Sequence, residues 1–165
     1  MDHEVVQLWH KFLEFVVCYC IILPGGLSYG DYLRTGAVAR FSPIMNAVIA
    51  HANRGGYLMG ICNGFQVLAE ARLVPGVLLR NANQQYICKN IYLTPQSSDA
   101  LLTAGLDRPS YKIPMAHGEG RYFADADTLK ELNDNQQVLF RYCDETGAIT
   151  QAANPNGSLE NIAGV

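Results

Sequence analysis

The chain has 165 residues, of which 49% are hydrophobic and 16% are charged, and its formal net charge is −3. This composition predicts a folded chain with a substantial core and excludes an intrinsically disordered one. The Lys and Arg residues are scattered, which excludes a basic surface for nucleic acid. The longest apolar run, residues 15–23, is too short for a membrane helix, which needs about 20 residues.

The first half of the chain alternates predicted strands and helices. Apolar residues at helical spacing predict a helix over residues 2–14. Residues 15–23 are uniformly apolar and predict a strand buried on both faces, as in a parallel sheet. A glycine-rich loop at 24–36 precedes a helical stretch, and Ser42-Pro43 predicts a break or restart within it. The residues predicted to share one face of that stretch are Val38, Phe41, Met45, Val48 and Ala52.

A second strand and helix follow directly. The sequence RGG at 54–56 is predicted to end the preceding helix, and residues 57–61 are predicted to form a short buried strand. A short amphipathic helix is predicted from the following bend to the VPG sequence at 74–76. This order of strand, loop and helix predicts right-handed crossovers. We therefore expect an α/β fold with a doubly wound, mostly parallel sheet and helices on both faces.

The second half of the chain is less regular, and no linker or internal repeat separates it from the first. Strands are predicted at 86–93, 111–116 and 137–142, a helix at 125–135, a turn at 154–157 and a last strand beginning in 161–165. One domain across residues 1–165 is therefore predicted.

The central motif is GICNGFQ at residues 60–66, between a predicted strand and a predicted helix. This arrangement has the form of a nucleophile elbow, in which Cys62 is raised above the edge of the sheet. A Cβ atom at Gly60 or Gly64 is expected to clash, because backbone crowds backbone in the turn. The helix N-terminus favours the thiolate form of Cys62, and the Asn63 N–H points towards an oxyanion beside the sulfur.

A second glycine motif, Pro24-Gly25-Gly26, follows the first predicted strand. Strands that are adjacent and parallel end at the same edge, so the two loops are expected to form one site with two sets of backbone N–H groups. The alternative interpretation is a core cysteine between two glycines that are needed only for packing.

Other polar and sulfur-bearing residues suggest structural roles. Cys18 and Cys20 are predicted in the core rather than at a metal site, because no second ligand pair has suitable spacing. His51 is predicted to cap a helix or to face solvent. Asp31 and Arg34 either pin the glycine-rich loop or face a partner, and we favour the first. The odd number of cysteines, found at 18, 20, 62, 88 and 143, predicts reduced thiols and a cytoplasmic location.

Four segments closely resemble the small glutaminase subunits of phosphoribosylformylglycinamidine synthase, which are class I, triad-type glutamine amidotransferases. They are LPGGLSYGDYLRTGAVARFSPIM at 23–45, the 60–89 segment that begins GICNGFQ, IPMAHGEGRYFAD at 113–125 and NPNGSLENIAGV at 154–165. Other class I members share the elbow, but the SYGDYLR and HGEGRY sequences are specific to this subunit. The family fold is flavodoxin-like.

The resemblance implies a role for each residue of the two glycine motifs. Cys62 attacks the side-chain carboxamide of L-glutamine and forms a γ-glutamyl thioester, with release of ammonia. The N–H groups of Gly26 and Asn63, with Gly25 beside them, hold the oxyanion. Gln66 binds the substrate glutamine.

The resemblance also implies partners. Ammonia passes to a large synthetase subunit, which uses ATP and magnesium to convert formylglycinamide ribonucleotide to formylglycinamidine ribonucleotide, and a small accessory subunit completes the complex. Residues 25–36 lack the Gly-Lys-Ser/Thr ending of a phosphate loop, so no cofactor or metal is expected on this chain. Neither a nucleic acid nor a membrane is expected as a partner.

The chain departs from the family pattern at both ends. The family begins with a buried strand before the segment that here reads MDHEVVQLWHK, and it continues beyond NIAG to a His-Pro-Glu motif that completes the triad; residues 1–165 contain neither. We therefore expect an incomplete domain. His117 and Glu119 have the same His-x-Glu spacing as that motif. However, members of the family carry the segment with this pair in addition to the His-Pro-Glu motif, so the pair does not replace it. We assign this pair to a loop that borders the glutamine pocket or the synthetase interface.

Two alternative functions stay open at this point. One is a non-catalytic module that docks on the synthetase. The other is a different hydrolase with a cysteine elbow, such as a γ-glutamyl hydrolase, against which the SYGDYLR and HGEGRY sequences argue.

The first prediction concerns activity. A chain of residues 1–165 alone is expected to release little or no ammonia from glutamine, because a Cys62 thiolate needs an imidazole partner to protonate the leaving nitrogen. An ammonia-release assay checks this. Rapid release that Cys62→Ala abolishes would contradict it.

Overall fold

The structure is a computed structural model that describes residues 4–31 and 33–165. It forms two compact units, residues 1–73 and residues 74–165. The prediction of one domain across residues 1–165 stays a prediction. Among the described residues, no helix has the length and apolar character needed to cross a bilayer.

The first unit contains a parallel pair of strands. Strand β1 (Cys20–Leu23) pairs with β2 (Tyr57–Gly60), with Leu23 opposite Gly60 at their carboxyl ends. Helix α1 (Met45–Asn53) lies between them in the chain, and helix α2 (Asn63–Glu70) follows β2 after two residues, Ile61 and Cys62. The carboxyl ends of both strands therefore open at one edge, next to the start of α2.

The core of the first unit lies between these strands and helices. Its buried apolar residues are Ile21, Ala39, Ile44, Met45, Val48 and Val67, and Phe15, Cys18, Leu23, Leu58 and Ala71 pack against them. Burial of a side chain of this size stabilises a fold by about 1.5–3 kcal/mol.

The predicted break at Ser42-Pro43 is confirmed. A short 3₁₀ turn (Ala39–Phe41) ends at Ser42, whose extended ψ of 138° stops the helix, and α1 begins at Met45. The expectation that Phe41 shares a buried face with α1 is wrong, because the break rotates it away. Its side chain is 75% exposed beneath the Arg40 guanidinium.

The predicted helix over residues 2–14 is wrong for the part that the structure describes. Residues 4–14 contain a turn, in which the Phe12 N–H donates to the Trp9 carbonyl at 2.9 Å, and no helix. Val5 and Leu13 are largely exposed. A short helix is stable only when its apolar face is packed, and no such packing covers these residues.

The predicted strand at 15–23 is shorter and less buried than expected. It begins at Cys20, and within β1 only Ile21 is buried. Cys18 is half-buried against the core, as predicted, whereas Cys20 is exposed, which contradicts its assignment to the core. Strand β2 is likewise half-exposed and not buried.

The second unit is mainly antiparallel. One sheet pairs β3 (Val77–Leu79) with β6 (Arg121–Phe123). The other has the order β5-β4-β7-β8, in which β4 is Ile87–Pro95, β5 is Tyr111–His117, β7 is Phe140–Cys143 and β8 is Ile162–Gly164. Strands β4, β5 and β8 and the carboxyl end of the predicted 137–142 strand confirm the sequence predictions, whereas β3 and β6 were not predicted.

Helix α3 (Ala126–Asp134) confirms the helix predicted at 125–135. Asp125 is its N-cap, and its carboxylate accepts a hydrogen bond from the Thr128 N–H at 2.8 Å. That hydrogen bond holds the pKa of Asp125 below its usual value. The start of α3 is therefore fixed by a cap that is visible in the sequence.

The α/β class is confirmed, but the described sheets do not form one doubly wound, mostly parallel sheet. Only β1 and β2 are parallel, and each of the other pairs is antiparallel. The prediction was wrong for the second unit because an apolar run reports burial and does not report strand direction.

The second prediction is alkaline destabilisation of the second unit. Burial raises the pKa of Tyr122 and of Tyr142 to about 12, from the ordinary value of 10.0. The stability that their neutral forms contribute is fully present below about pH 10 and is lost as the pH rises through 12. Urea unfolding between pH 9 and pH 12 measures this loss.

The double variant Tyr122→Phe/Tyr142→Phe is the control. It is less stable at pH 9, since the Tyr122 hydroxyl donates to the Pro75 carbonyl at 2.8 Å. However, its stability falls less steeply above pH 10. Equal slopes for the parent and the double variant would contradict the prediction.

Candidate functional site

Cys62 occupies a strained position between β2 and α2. Its φ of 54° and ψ of −111° lie outside the regions that residues with side chains normally adopt. Its side chain is exposed, and it is the N-cap residue of α2. The structure therefore presents the thiol at the carboxyl end of β2, as a nucleophile elbow requires.

The two glycines of the elbow are required by backbone packing, as the sequence predicted. A Cβ at Gly60 would lie 2.7 Å from the Gly64 carbonyl, and a Cβ at Gly64 would lie 2.0 Å from the Leu23 oxygen. Real Cβ atoms do not approach backbone atoms so closely. The first turn of α2 thus packs directly on the ends of β1 and β2.

The Pro24-Gly25-Gly26 loop lies beside the thiol. The Ile61 N–H donates to the Leu23 carbonyl at 3.0 Å, which ties the end of β1 to the elbow. A Cβ built on Gly25 would lie 3.3 Å from the Cys62 Cβ and 3.9 Å from its sulfur. The two glycine motifs therefore lie side by side, and Gly26 adopts a φ of 141° in open space.

Asn63 and Gln66 lie on the first turn of α2 and are buried, with 3% and 7% of their surface exposed. The Asn63 Nδ2 donates to the Gln66 Oε1 at 3.1 Å. The Ser28 hydroxyl donates to the Asn63 Oδ1, which joins the glycine loop to the helix. Sequence reasoning missed Ser28, although its place two residues after Gly26 was a signal.

The rest of the loop is fastened along α2. Gly36 lies against the backbone of Gln66 and Val67, where a Cβ would be only 2.8 Å away. Arg34 forms a bidentate ion pair with Glu70, with Nε–Oε1 at 2.5 Å and Nη2–Oε2 at 2.7 Å. These contacts support the interpretation that Arg34 pins the loop, whereas the side chain of Asp31 lies outside the described residues.

Tyr29 anchors the other side of the loop. Its hydroxyl lies 2.9 Å from the Ser42 Oγ and 2.9 Å from the His10 Nδ1. Its φ of 53° turns the chain sharply after Ser28. Consecutive loop residues therefore reach two different supports, Ser28 to α2 and Tyr29 to the segment before α1.

A cavity of about 390 Å³ lies in the first unit next to these residues. Its lining includes Gly25, Gly26, Ser28, Asn63 and Gly64, but Cys62 is not part of it. The cavity therefore borders both the glycine loop and the first turn of α2.

Two histidines of the first unit are engaged in structural contacts. His51 is buried, with its Nε2 3.2 Å from the carbonyl oxygen of Tyr57 in β2, so the expectation that it caps a helix or faces solvent is wrong. Gly56 permits this burial, because a Cβ there would lie 2.1 Å from the ring. His10 contacts Tyr29. Neither ring is hydrogen-bonded to Cys62 in the part of this unit that the structure describes.

In the second unit, His117 is the last residue of β5 and pairs with Ile87, so its assignment to a loop is wrong. Glu119 lies in the connection between β5 and β6, as expected. Glu119 is 3.6 Å from the Arg80 Nε. The His117 Nδ1 is buried without a partner, and burial lowers the pKa of this imidazole. Asn81 fixes the loop by donating to the His117 carbonyl at 2.9 Å. The expected border with a glutamine pocket or a synthetase stays a prediction.

The remaining cysteines and acidic residues do not gather into a metal site. Among residues 4–31 and 33–165, no group of three or more His, Cys, Asp or Glu side chains is placed to hold a metal ion. Cys88 is exposed, and Cys143 is buried at the end of β7.

Comparisons with known proteins also indicate a glutamine amidotransferase domain. The family model of the CobB/CobQ-like glutamine amidotransferase domain matches residues 7–165. The phosphoribosylformylglycinamidine synthase subunit PurQ of Synechocystis sp. is 51% identical over 166 residues, which cover 100% of this chain and 74% of that protein. The PurQ subunit of Moorella thermoacetica is also 51% identical and is covered to 70%.

A solved structure supports the same relationship. A chain in the structure of PurLQS from Thermotoga maritima matches with a TM-score of 0.68 and 39% identity. The match covers 87% of this chain and 60% of that chain. The present chain thus spans less than two thirds of the length of the matched chain.

The third prediction tests the packing of the elbow. Gly64→Ala is expected to lower the free energy of unfolding by about 2 kcal/mol or more, because the added Cβ must displace the Leu23 backbone. Gly118→Ala is the matched control, since its nearest neighbour would be Tyr86 at an ordinary 3.8 Å. Urea unfolding measures both, and an equal cost for the two variants would show that the elbow is not tightly packed.

Proposed function

The chain belongs to the family of CobB/CobQ-like glutamine amidotransferase domains, and on this premise we propose that it is the glutaminase subunit of a phosphoribosylformylglycinamidine synthase. The observation that carries the proposal is the position of Cys62. Its thiol is exposed at a strained elbow, next to the backbone of Gly25 and at the N-terminus of α2.

This geometry suits attack on a carboxamide. The Cys62 sulfur adds to the side-chain carbonyl carbon of glutamine, and the negative charge moves to the carbonyl oxygen. The N–H groups of Gly26 and Asn63 donate to that oxygen. The carbon–nitrogen bond then breaks, the nitrogen takes up a proton and leaves as ammonia, and a γ-glutamyl thioester stays on Cys62. Water hydrolyses the thioester to glutamate and restores the thiol.

Gln66 is the proposed contact for the substrate glutamine. It lies one turn into α2, and its N–H donates to the Cys62 carbonyl at 3.2 Å. Its side chain is held by Asn63, so its carboxamide has a defined orientation towards the elbow.

The leaving nitrogen requires a proton. In the first unit, the described histidines His10 and His51 contact Tyr29 and Tyr57 and are not hydrogen-bonded to Cys62. We therefore assign the proton transfer to neither of them. The resemblance gives this role to a His-Pro-Glu motif, which residues 1–165 do not contain.

The proposed partners are a large synthetase subunit and a small accessory subunit. The relatives are named as subunits of phosphoribosylformylglycinamidine synthase, and the matched structure is of PurLQS. We propose that the large subunit binds ATP and magnesium and uses the ammonia to convert formylglycinamide ribonucleotide to formylglycinamidine ribonucleotide. The glycine loop of this chain supports that division, because it lacks the lysine of a phosphate loop.

Two finer points belong to the same proposal. We propose that the parallel β1–β2 pair, with α1 between the strands in the chain, is one unit of the doubly wound sheet of the family. We also propose a cytoplasmic location, which the five free cysteines support, because secreted proteins usually pair their thiols.

The fourth prediction is affinity labelling of Cys62. A chloromethyl ketone analogue of glutamine is expected to alkylate this thiol, with formation of a sulfur–carbon bond and loss of chloride. Free glutamine should slow the reaction, since both ligands occupy the same site. Peptide mass spectrometry locates the label, and Cys62→Ala should abolish it.

Cys20→Ala is the matched control, because Cys20 is also exposed and lies in the same unit. It should leave labelling unchanged. Equal labelling of Cys20 and Cys62, or labelling that glutamine does not slow, would overturn the proposed function.

A further inference from the structure

We propose that the side chains of Ser28 and Asn63 are positioning groups that hold the two halves of the oxyanion site in register, and that Asn63 also orients Gln66. The inference rests on the proposed glutaminase function. It assigns a task to side chains that do not themselves touch the reacting atoms.

Asn63 has two parts with separate roles. Its backbone N–H belongs to the elbow, while its side chain is buried and makes two hydrogen bonds of its own. The Oδ1 accepts from the Ser28 hydroxyl, and the Nδ2 donates to the Gln66 Oε1. A buried amide with both ends engaged fixes the groups that it joins, because leaving either end unpaired is costly.

Ser28 joins the glycine loop to the start of α2. It lies two residues after Gly26, whose N–H is one of the proposed oxyanion donors, and the hydrogen bond to Asn63 joins residues that are 35 apart in the sequence. The next residue, Tyr29, has a φ of 53° and is anchored to Ser42. The chain from Gly26 to Tyr29 is therefore attached at two consecutive side chains. Of these, Ser28 sets its distance from the start of α2.

The side chain of Asn63 also sets the orientation of the Gln66 carboxamide. The main chain of Gln66 is fixed by α2, but a carboxamide can rotate about its last side-chain bond. The donor from Asn63 at 3.1 Å holds the Oε1 and so sets that rotation. Loss of the Asn63 side chain is therefore expected to affect both the oxyanion site and glutamine binding. Loss of the Ser28 hydroxyl is expected to affect mainly the oxyanion site.

The experiment measures how the full chain reacts with the chloromethyl ketone analogue of glutamine, as a maximal rate of inactivation and a half-saturating concentration. Ser28→Ala should lower the maximal rate about tenfold and leave the half-saturating concentration within about twofold, because misplaced donors no longer polarise and hold the ketone carbonyl beside the carbon from which Cys62 displaces chloride. Asn63→Ala should lower the maximal rate by a similar factor and also raise the half-saturating concentration. Ser28→Thr keeps the hydroxyl and should react at nearly the parental rate.

A double-mutant cycle tests whether the two side chains act through each other. The double variant Ser28→Ala/Asn63→Ala should have a maximal rate no lower than that of Asn63→Ala alone, since the shared hydrogen bond is already lost. Independent effects, which would multiply to about a hundredfold loss, would overturn the proposal. Unfolding by urea is measured for each variant to check that it folds. If Asn63→Ala does not fold, the maximal rates of Ser28→Ala and Ser28→Thr are compared instead, and equal rates would overturn the proposal.

Alkylation by iodoacetamide distinguishes a loss of positioning of the oxyanion donors from a general change in the reactivity of the Cys62 thiol. The reagent alkylates Cys62 by direct displacement at a methylene carbon, so its rate should be the same in Ser28→Ala as in the parent. An equal slowing of both reagents would overturn the positioning role. If the parent chain itself is not labelled at Cys62, the proposed function fails. If the parent is labelled and the Ser28 and Asn63 variants react like it, only the positioning role fails.

Discussion

The structure of the first unit depends on one close backbone contact. Helix α2 packs so tightly on the end of β1 that a single added carbon at Gly64 would lie 2.0 Å from the Leu23 oxygen. This contact leaves only Ile61 and Cys62 to connect β2 and α2, and Cys62 adopts a φ that residues with side chains rarely adopt. The strain that Cys62 bears is therefore the direct consequence of the glycine packing, and it is what presents the thiol to solvent.

The same contact brings the glycine loop after β1 next to the thiol. Because β1 and β2 are parallel and in register at Leu23 and Gly60, their following loops start side by side. The loop is then held along α2, by Ser28 at its start and by Arg34 on Glu70 at its end. The glycine loop and the first turn of α2 thus lie side by side next to one thiol. The proposed oxyanion site needs the backbone N–H groups of both segments to be held in this way.

The elbow was predictable from the sequence because its signal is local, two glycines at fixed spacing around Cys62, although Gly64 packs on the distant Leu23. The helix at 125–135 and the break at Ser42 were also predicted from local sequence. Burial was less predictable. The apolar residues of 2–14 formed no helix in the described part, since packing and not spacing decides the outcome. The Ser28–Asn63 bond was not visible, because its partners are far apart in sequence and only the fold brings them together.

The most direct test of the central claim is a crystal structure of the chain with Cys62 joined to the chloromethyl ketone analogue of glutamine. The account predicts that the adduct oxygen lies about 2.7–3.1 Å from the backbone nitrogens of both Gly26 and Asn63. An adduct whose oxygen faces solvent, or contacts neither nitrogen, would contradict it.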